Sequence, residues 1–232
     1  MTESSNRLIA SLQDDALQHW KPYFERIALS QREELFEPDD PLEYLWFPEN
    51  GVCSLVVESS SGGSVEVAIT GREGVIGLPA IFGAKHAATR AVAQMSMSVL
   101  RIRVDDFMQN LHGDHPLLHQ LERYAAVTLS CLAQIAGCNR LHRTEQRLCR
   151  WLLMVRDRAG ENPLPITHDF LSLMVGTRRS SVTEAAQRLQ QRGLIRYERG
   201  TMAYTDIAGL EQAACECYGI IRRLYAVLEH SC

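Results

Sequence analysis

Apolar residues change their period several times along this chain, and each change marks a different kind of element. Between residues 6 and 20, Leu8, Ile9, Leu12 and Leu17 fall at helical spacing and predict a leading helix. Short alternating runs follow, at 44–47, 52–57, 65–69, 91–95 and 99–102, which read as strands. Turn formers separate them, at Glu37-Pro38-Asp39-Asp40-Pro41, Glu49-Asn50-Gly51, Ser60-Ser61-Gly62-Gly63 and Thr70-Gly71-Arg72-Glu73-Gly74. Short strands at this spacing suggest a small barrel or sandwich.

Helical period returns near residue 116. Leu118, Leu121, Ala125, Thr128, Leu132 and Ile135 alternate by three and four, an a/d seam that predicts a helix over 116–138 and a parallel homodimer. The competing explanation is one helix packed on its own β domain. Leu148, Trp151, Leu152 and Val155 mark a further helix ending near Ala159-Gly160. Phe170, Leu171, Met174 and Val175 then give one short apolar face, which Gly176 breaks. Val182, Ala185, Ala186 and Leu189 supply a second. Two apolar runs flank a turn at Glu198-Arg199-Gly200 and predict a hairpin. A last stripe, Leu210, Ala214, Cys217, Ile221, Leu224 and Leu228, predicts a C-terminal helix of about 20 residues. Whether that helix covers the C-terminal domain or extends a dimer interface is open at this level.

The pattern amounts to an α+β chain in three parts: a β-rich sensor domain over 1–115, a long helix and hinge over 116–142, and a winged helix-turn-helix with an extra helix over 143–232. A helix pair joined by a glycine-containing turn also occurs in enzymes and bundles. Charge separates the readings. The chain as a whole is acidic, at −4, which argues against an indiscriminate polyanion binder. Residues 140–200, however, hold twelve arginines against six acids, while residues 1–139 hold ten basic residues against eighteen acids. A basic segment joined to an acidic one is the electrostatic footprint of a phosphate-contacting domain. Arginine's planar fork suits phosphate and guanine. The second helix carries Thr177, Arg178, Arg179, Ser180, Thr183, Glu184 and Arg188 on or beside its outward face. Such a helix fits the major groove of double-stranded DNA, with its N-terminal residues at base edges.

Other classes are poorly served. No P-loop, nucleophile elbow or HExxH pattern is present, so an enzyme is not expected. No run of about 18 apolar residues exists to span a membrane, and the polar first ten residues lack a signal-peptide core, so a cytoplasmic protein is expected. The seven cysteines form no CxxC pair, as expected of a reducing compartment. Cys131, Cys138 and Cys149 sit on helical patterns as small core residues. Cys215 and Cys217, two apart on a helix, would point about 200° away from each other and chelate one metal poorly, so no metal site is expected.

The order of β-roll, long helix and winged helix-turn-helix resembles the Crp/Fnr family of bacterial transcription regulators, over about residues 7–205. The likeness is strongest from Thr167 to Thr183, with the short helix, the Gly176 turn and an arginine at 179. It extends to Gly71-Arg72-Glu73-Gly74-Val75-Ile76-Gly77 in a β-roll loop. The resemblance implies a sequence-specific DNA-binding homodimer on an inverted repeat, with RNA polymerase as a partner. It implies that Arg179, Ser180 and Glu184 face base edges and that Arg188 supports a phosphate. An effector would sit near Gly77, Leu78, Thr89 and Arg90.

The chain departs from the cyclic-nucleotide-binding pattern at two points. Gly77 is followed by Leu78-Pro79 where a carboxylate would hold the ribose, and Thr89-Arg90 reverses the phosphate-binding pair. A buried ribose hydroxyl left without an acceptor costs about 1–3 kcal/mol, so cAMP is not expected to bind in the family's usual way. An iron–sulfur cluster is not expected either, because no cysteine cluster precedes Cys53. Haem, through His86, His112, His115 or His119, stays open, as does a cyclic dinucleotide or another metabolite. The alternative of a different class is a ligand-binding signalling module whose C-terminal domain docks a protein rather than DNA.

Overall fold

The computed structural model describes residues 4–60, 63–111, 115–160 and 164–228. The leading helix is two pieces, α1 (Arg7–Ala10) and α2 (Asp14–Trp20), because the chain turns at Ser11–Gln13. The Asn6 side chain caps α1 by accepting from the Leu8 and Ile9 amides, while its amide nitrogen donates to the Pro48 and Gly74 carbonyls at 2.9 Å each.

Seven antiparallel strands follow: β1 (Glu25–Leu29), β2 (Glu34–Phe36), β3 (Tyr44–Pro48), β4 (Cys53–Glu58), β5 (Ser64–Thr70), β6 (Arg90–Ala93) and β7 (Met97–Arg103). They make two sheets, in the orders β1-β7-β3 and β2-β6-β4-β5. The five strands expected from alternation are all present. β1 and β2 were not expected: β1 reads Glu-Arg-Ile-Ala-Leu and exposes most of its length at a sheet edge, so its sequence lacks the half-buried alternation. A short helix, α3 (Val104–Asn110), leads to α4 (Pro116–Leu141), which His115 caps by accepting from the Leu117 amide at 3.1 Å.

The C-terminal part opens with α5 (Thr144–Ala159), closed by Gly160 at φ 64°. A short strand β8 (Leu164–Pro165) precedes α6 (His168–Val175) and α7 (Arg179–Gln191). β9 (Ile195–Glu198) and β10 (Thr201–Tyr204) form the wing, and β8 joins them in the order β8-β10-β9. The expected single C-terminal helix is two, α8 (Ile207–Ala213) and α9 (Cys217–Ala226), because the backbone turns extended at Ala214, with ψ 160°. α9 folds back on α4 and α5 of its own chain; its neighbour Val227 accepts a hydrogen bond from Arg123 Nη2 at 3.0 Å.

α5 is the shared wall of the molecule. One face packs under α6, α7 and α8; the other meets the β-roll through two buried polar clusters. In the first, Trp151 Nε1 donates to Glu66 Oε1 at 2.6 Å, and Ser54 Oγ and Gln94 Nε2 donate to Glu66 Oε2 at 2.7 and 2.9 Å. In the second, Arg158 Nε meets Glu73 Oε1 at 2.8 Å, with both side chains less than 10 % exposed. The aromatic ring of Tyr225 covers the Arg158 guanidinium at 4.6 Å.

These clusters carry two expectations. Arg158→Met leaves Glu73 buried without its partner and should cost about 3–5 kcal/mol in urea unfolding, whereas the double change Arg158→Met with Glu73→Gln should restore much of it. If the double variant is no more stable than the single, the loss is one of shape and not of unpaired charge. The second concerns Glu66. Burial raises its carboxyl from the ordinary 4.5 to about 8, against the donors that favour the charged form. Between those values the folded chain holds a proton that the unfolded chain has lost. This contribution is therefore fully present below about pH 4.5 and falls as pH rises to about 8. Glu66→Gln removes it, so urea midpoints of wild type relative to Glu66→Gln should fall with pH across that window. A difference independent of pH would rule out a protonated Glu66.

Candidate nucleic-acid interface

α7 presents two faces of opposite character. Val182, Ala185, Ala186 and Leu189 are buried against α5, α6 and the wing, which fixes the helix in rotation. Arg178, Arg179, Ser180, Glu184 and Arg188 then point outward, as expected. No side chain caps the helix, and Arg178, at the N-cap, has extended φ and ψ of −65° and 143°. The first-turn amides therefore face outward, where the helix dipole favours an anion. Gly176 makes the preceding turn at φ 63°, and a Cβ there would meet Val65 Cγ2 at 2.5 Å, so the turn is seated against the β4–β5 hairpin.

Arg179 Nε lies 3.1 Å from Asp169 Oδ1, both side chains being 68 % exposed. A pair that open is weak and readily exchanged for a phosphate or base. Arg188 Nε sits 2.8 Å from Glu145 Oε2, and Arg192 Nη1 is 2.8 Å from the other oxygen of that carboxylate. Glu145 thus holds two arginines at the far end of α7. Thr177 is half-buried in the turn. Thr183 departs from the expectation of a free outward residue. Its hydroxyl lies 3.1 Å from His168 Nδ1, and His168 stacks on Tyr197 with centroids 4.4 Å apart. Thr183 is spent on joining α7 to α6. Burial, followed by the charge of Arg179, lowers the His168 pKa from the ordinary imidazole value.

Four outward residues were not assigned to the interface by the sequence reading. Gln187 and Gln191 are exposed and continue the stripe that begins at Ser180 and Glu184, at the same three-and-four spacing; that spacing was the available signal. The wing turn holds Arg199 at φ 49° and Gly200 at φ 80°, the left-handed pair of a tight hairpin turn, and leaves Arg196 and Arg199 exposed beside α7.

A cavity of about 470 Å³ opens between the β-roll and α4. Gly77, Leu78 and Thr89 line it, with Phe36, Leu55, Ile69, Tyr124, Thr128, Leu132 and Tyr225 among its other walls. Arg90 does not. Its guanidinium is held by Glu34 and Glu58 at 2.9 Å each on the outer side of β6. The cavity wall is accordingly almost wholly apolar. Of the histidines, His86 is exposed, His115 caps α4 beside Trp20, and His112 lies outside the described residues.

The seam residues of α4 divide. Leu121 and Ile135 are buried in their own chain with Leu117, Tyr124, Val127, Cys131 and Cys138, and Leu118 packs partly on the same side. Ala125, Thr128 and Leu132 are half-buried around the cavity mouth. The fully outward stripe is shifted by about one residue, to Ala126, Leu129, Ala133 and Ala136, with Leu129 69 % exposed. The periodicity was read correctly as helical, but two seams of similar spacing lie side by side on this helix.

Residues 26–114 match the cyclic nucleotide-binding domain, and residues 146–213 match the Crp-like helix-turn-helix domain. The transcriptional regulatory protein btr of Bordetella pertussis is 26 % identical over 198 residues, 81 % of this chain and 80 % of that protein. Among solved structures, FixK2 from Bradyrhizobium japonicum superposes with a TM-score of 0.71 at 16 % identity, covering 83 % of this chain and 98 % of that one. The c-di-GMP responsive global regulator CLP of Xanthomonas campestris gives 0.69 at 17 % identity, over 83 % and 99 %. These last two are likenesses of fold. With its two domains matched in this order, and an uncapped, arginine-rich second helix set outward on the C-terminal one, the chain belongs to the Crp/Fnr family of DNA-binding transcription regulators.

Proposed function

We propose that the protein binds an inverted-repeat DNA site as a homodimer and that a small, largely uncharged effector in the β-roll cavity sets its affinity. The observation that carries the DNA reading is the outward face of α7, where Arg179, Ser180, Glu184 and Gln187 stand on a helix whose rotation is fixed by four buried residues. Arg179 reads a base, preferably guanine, and Arg188 with Arg192 contacts backbone phosphate. A protein-docking role for the same domain would not need an arginine at the first helical turn held only by an exposed, readily exchanged ion pair with Asp169.

The dimer forms through the outward stripe of α4, centred on Leu129. An exposed leucine flanked by alanines at heptad spacing suits close approach of a second copy of the helix. Two recognition helices would then stand about 34 Å apart, one turn of DNA.

The effector argument rests on Arg90. Glu34 and Glu58 each hold one of its terminal nitrogens, and no arginine or lysine is among the described residues that line the cavity. That speaks against cAMP, and equally against a cyclic dinucleotide of the kind named for the Xanthomonas relative. An apolar body with one or two hydroxyl or carbonyl groups fits Tyr124, Thr128 and Thr89.

Three outcomes are expected. In mobility-shift titrations against a panel of operators, Arg179→Ala should lose about 1–3 kcal/mol of preference for the best site, while Arg188→Ala should weaken all sites alike and lower the salt slope by about one unit. Equal losses on every sequence for Arg179→Ala would remove its base-reading role. Leu129→Glu should give a folded monomer in sedimentation that no longer binds operator; a dimer surviving that change moves the interface elsewhere. Calorimetry with cAMP at about 100 μM, near −5.5 kcal/mol on the affinity scale, should show no saturable heat. A micromolar isotherm abolished by Arg90→Ala would overturn the cavity argument.

A further inference from the structure

The C-terminal end of α4 meets the break between α8 and α9, and four ligating side chains converge there. The expected divergence of Cys215 and Cys217 does not hold, because they are not on one helix. Cys215 lies in the extended break, and Cys217 is the first residue of α9. Both thiols turn toward α4, where Cys138 and His142 sit one helical turn apart on one face, His142 as the C-cap. Cys138, Cys215 and Cys217 form their own small buried cluster. The ligand atoms of all four residues lie within 4.8 Å of one another. Cys138 Sγ is 3.5 Å from Cys215 Sγ, and Cys217 Sγ is 3.6 Å from His142 Nδ1. A tetrahedral zinc ion with Zn–S near 2.3 Å and Zn–N near 2.0 Å has ligand–ligand edges of about 3.5–3.8 Å. Two edges of the cluster therefore already have the size that one such ion demands.

The surroundings fit the same ion. His142 presents Nδ1 to the cluster and Nε2 to Glu216 Oε1 at 3.1 Å, the carboxylate–histidine arrangement that fixes the tautomer of a metal-bound imidazole. Gln134 Nε2 donates to Cys217 Sγ at 3.0 Å, as expected beside a thiolate. Three thiolates on a divalent ion leave one excess negative charge. Arg147 and Arg150 on α5 are buried and enter no ion pair among the described residues. Arg147 Nη1 donates to the carbonyl of Asn139, the residue after Cys138, at 3.0 Å, which brings positive charge to that end of α4.

We propose that Cys138, His142, Cys215 and Cys217 form a closed structural site for a borderline-soft divalent cation, zinc, which pins the α8–α9 break to the end of the long helix. Thiolate-rich donors exclude magnesium and calcium, and four protein ligands leave no open position for catalysis. The site lies outside both the α7 surface and the β-roll cavity, so it stands whether or not the DNA and effector readings hold.

The full chain, purified under reducing conditions without chelators, is expected to carry about one zinc per chain by elemental mass spectrometry. Stripped and refilled with cobalt(II), it should show tetrahedral visible bands and thiolate-to-cobalt charge transfer. Cys217→Ser and His142→Gln should weaken zinc binding in chelator competition. Glu216→Gln, which touches only the histidine, should weaken it about 10–100-fold with the fold retained by circular dichroism. Zinc removal should lower the melting temperature of wild type and leave that of Cys217→Ser nearly unchanged. Absence of thiolate charge transfer, full zinc retention in both ligand variants, or a Cys138–Cys215 disulfide as the resting state under reducing conditions would each overturn the site.

Discussion

A carboxylate and a guanidinium buried face to face set the geometry of this molecule. Glu73, in the β-roll loop, and Arg158, on α5, are both almost fully removed from water. Either charge alone would be costly in that setting, so neither the loop nor α5 can move without the other unless the pair is solvated first. Glu73 Oε1 also accepts from the Gly71 amide at 3.1 Å, which ties the carboxylate to its own turn. The arginine is braced by the Met154 carbonyl at 3.0 Å and covered by Tyr225. One interaction thus joins three parts of the chain: the β-roll, the first helix of the DNA-binding domain, and the last helix, α9.

The same residues border the cavity. Tyr225 lines it and also lies on Arg158, and Tyr124 lines it while its hydroxyl meets Thr70 at 3.3 Å. A Cβ on Gly74 would run into the Tyr124 ring, so the loop carrying Glu73 and the long helix are in direct contact. A ligand in the cavity therefore touches side chains that are one contact from the Glu73–Arg158 pair. Contiguity of this kind becomes regulation only when the ligand favours one arrangement of these elements over another. The physical elements available for that are few. The turn at Gly176 rests on Val65, and the Met174 sulfur lies 3.4 Å from Ser54 Oγ. Those contacts are apolar or weakly polar, whereas the α5 contacts are buried hydrogen bonds and the Glu73–Arg158 ion pair. Resistance to movement is greatest at α5 and least at the helix-turn-helix edge.

Period and turn chemistry were enough to place five strands, the long helix, the helix-turn-helix and the wing, because each buries one face and solvates the other. β1 escaped because an edge strand can be paired by its backbone while most of its side chains stay in water. The leading and trailing helices were each read as continuous, since an apolar stripe survives a break when both halves bury the same side. Leu210 and Ile221 are both buried, yet they belong to α8 and α9. Residues without side-chain signals, such as the extended Ala214, decided the chain's path there.

The site was legible to the same degree and for the same reason. Arg179, Ser180, Glu184 and Arg188 could be assigned to the outward face of α7 because the inward face was unambiguous. What a sequence pattern lacks is the partner on the other side. α4 carries two apolar stripes of nearly equal spacing, and only the packing of Leu121 and Ile135 inside the chain identifies the free one at Leu129. Thr183 looks like a groove-facing hydroxyl until His168 arrives from another helix. Arg90 looks like a phosphate ligand until Glu34 and Glu58 claim it from neighbouring strands. Cys215 and Cys217 were dismissed on the rotation of an ideal helix, and that rotation does not apply to residues on either side of a helix start. In each case the residue's surroundings were set by a contact with an element elsewhere in the chain.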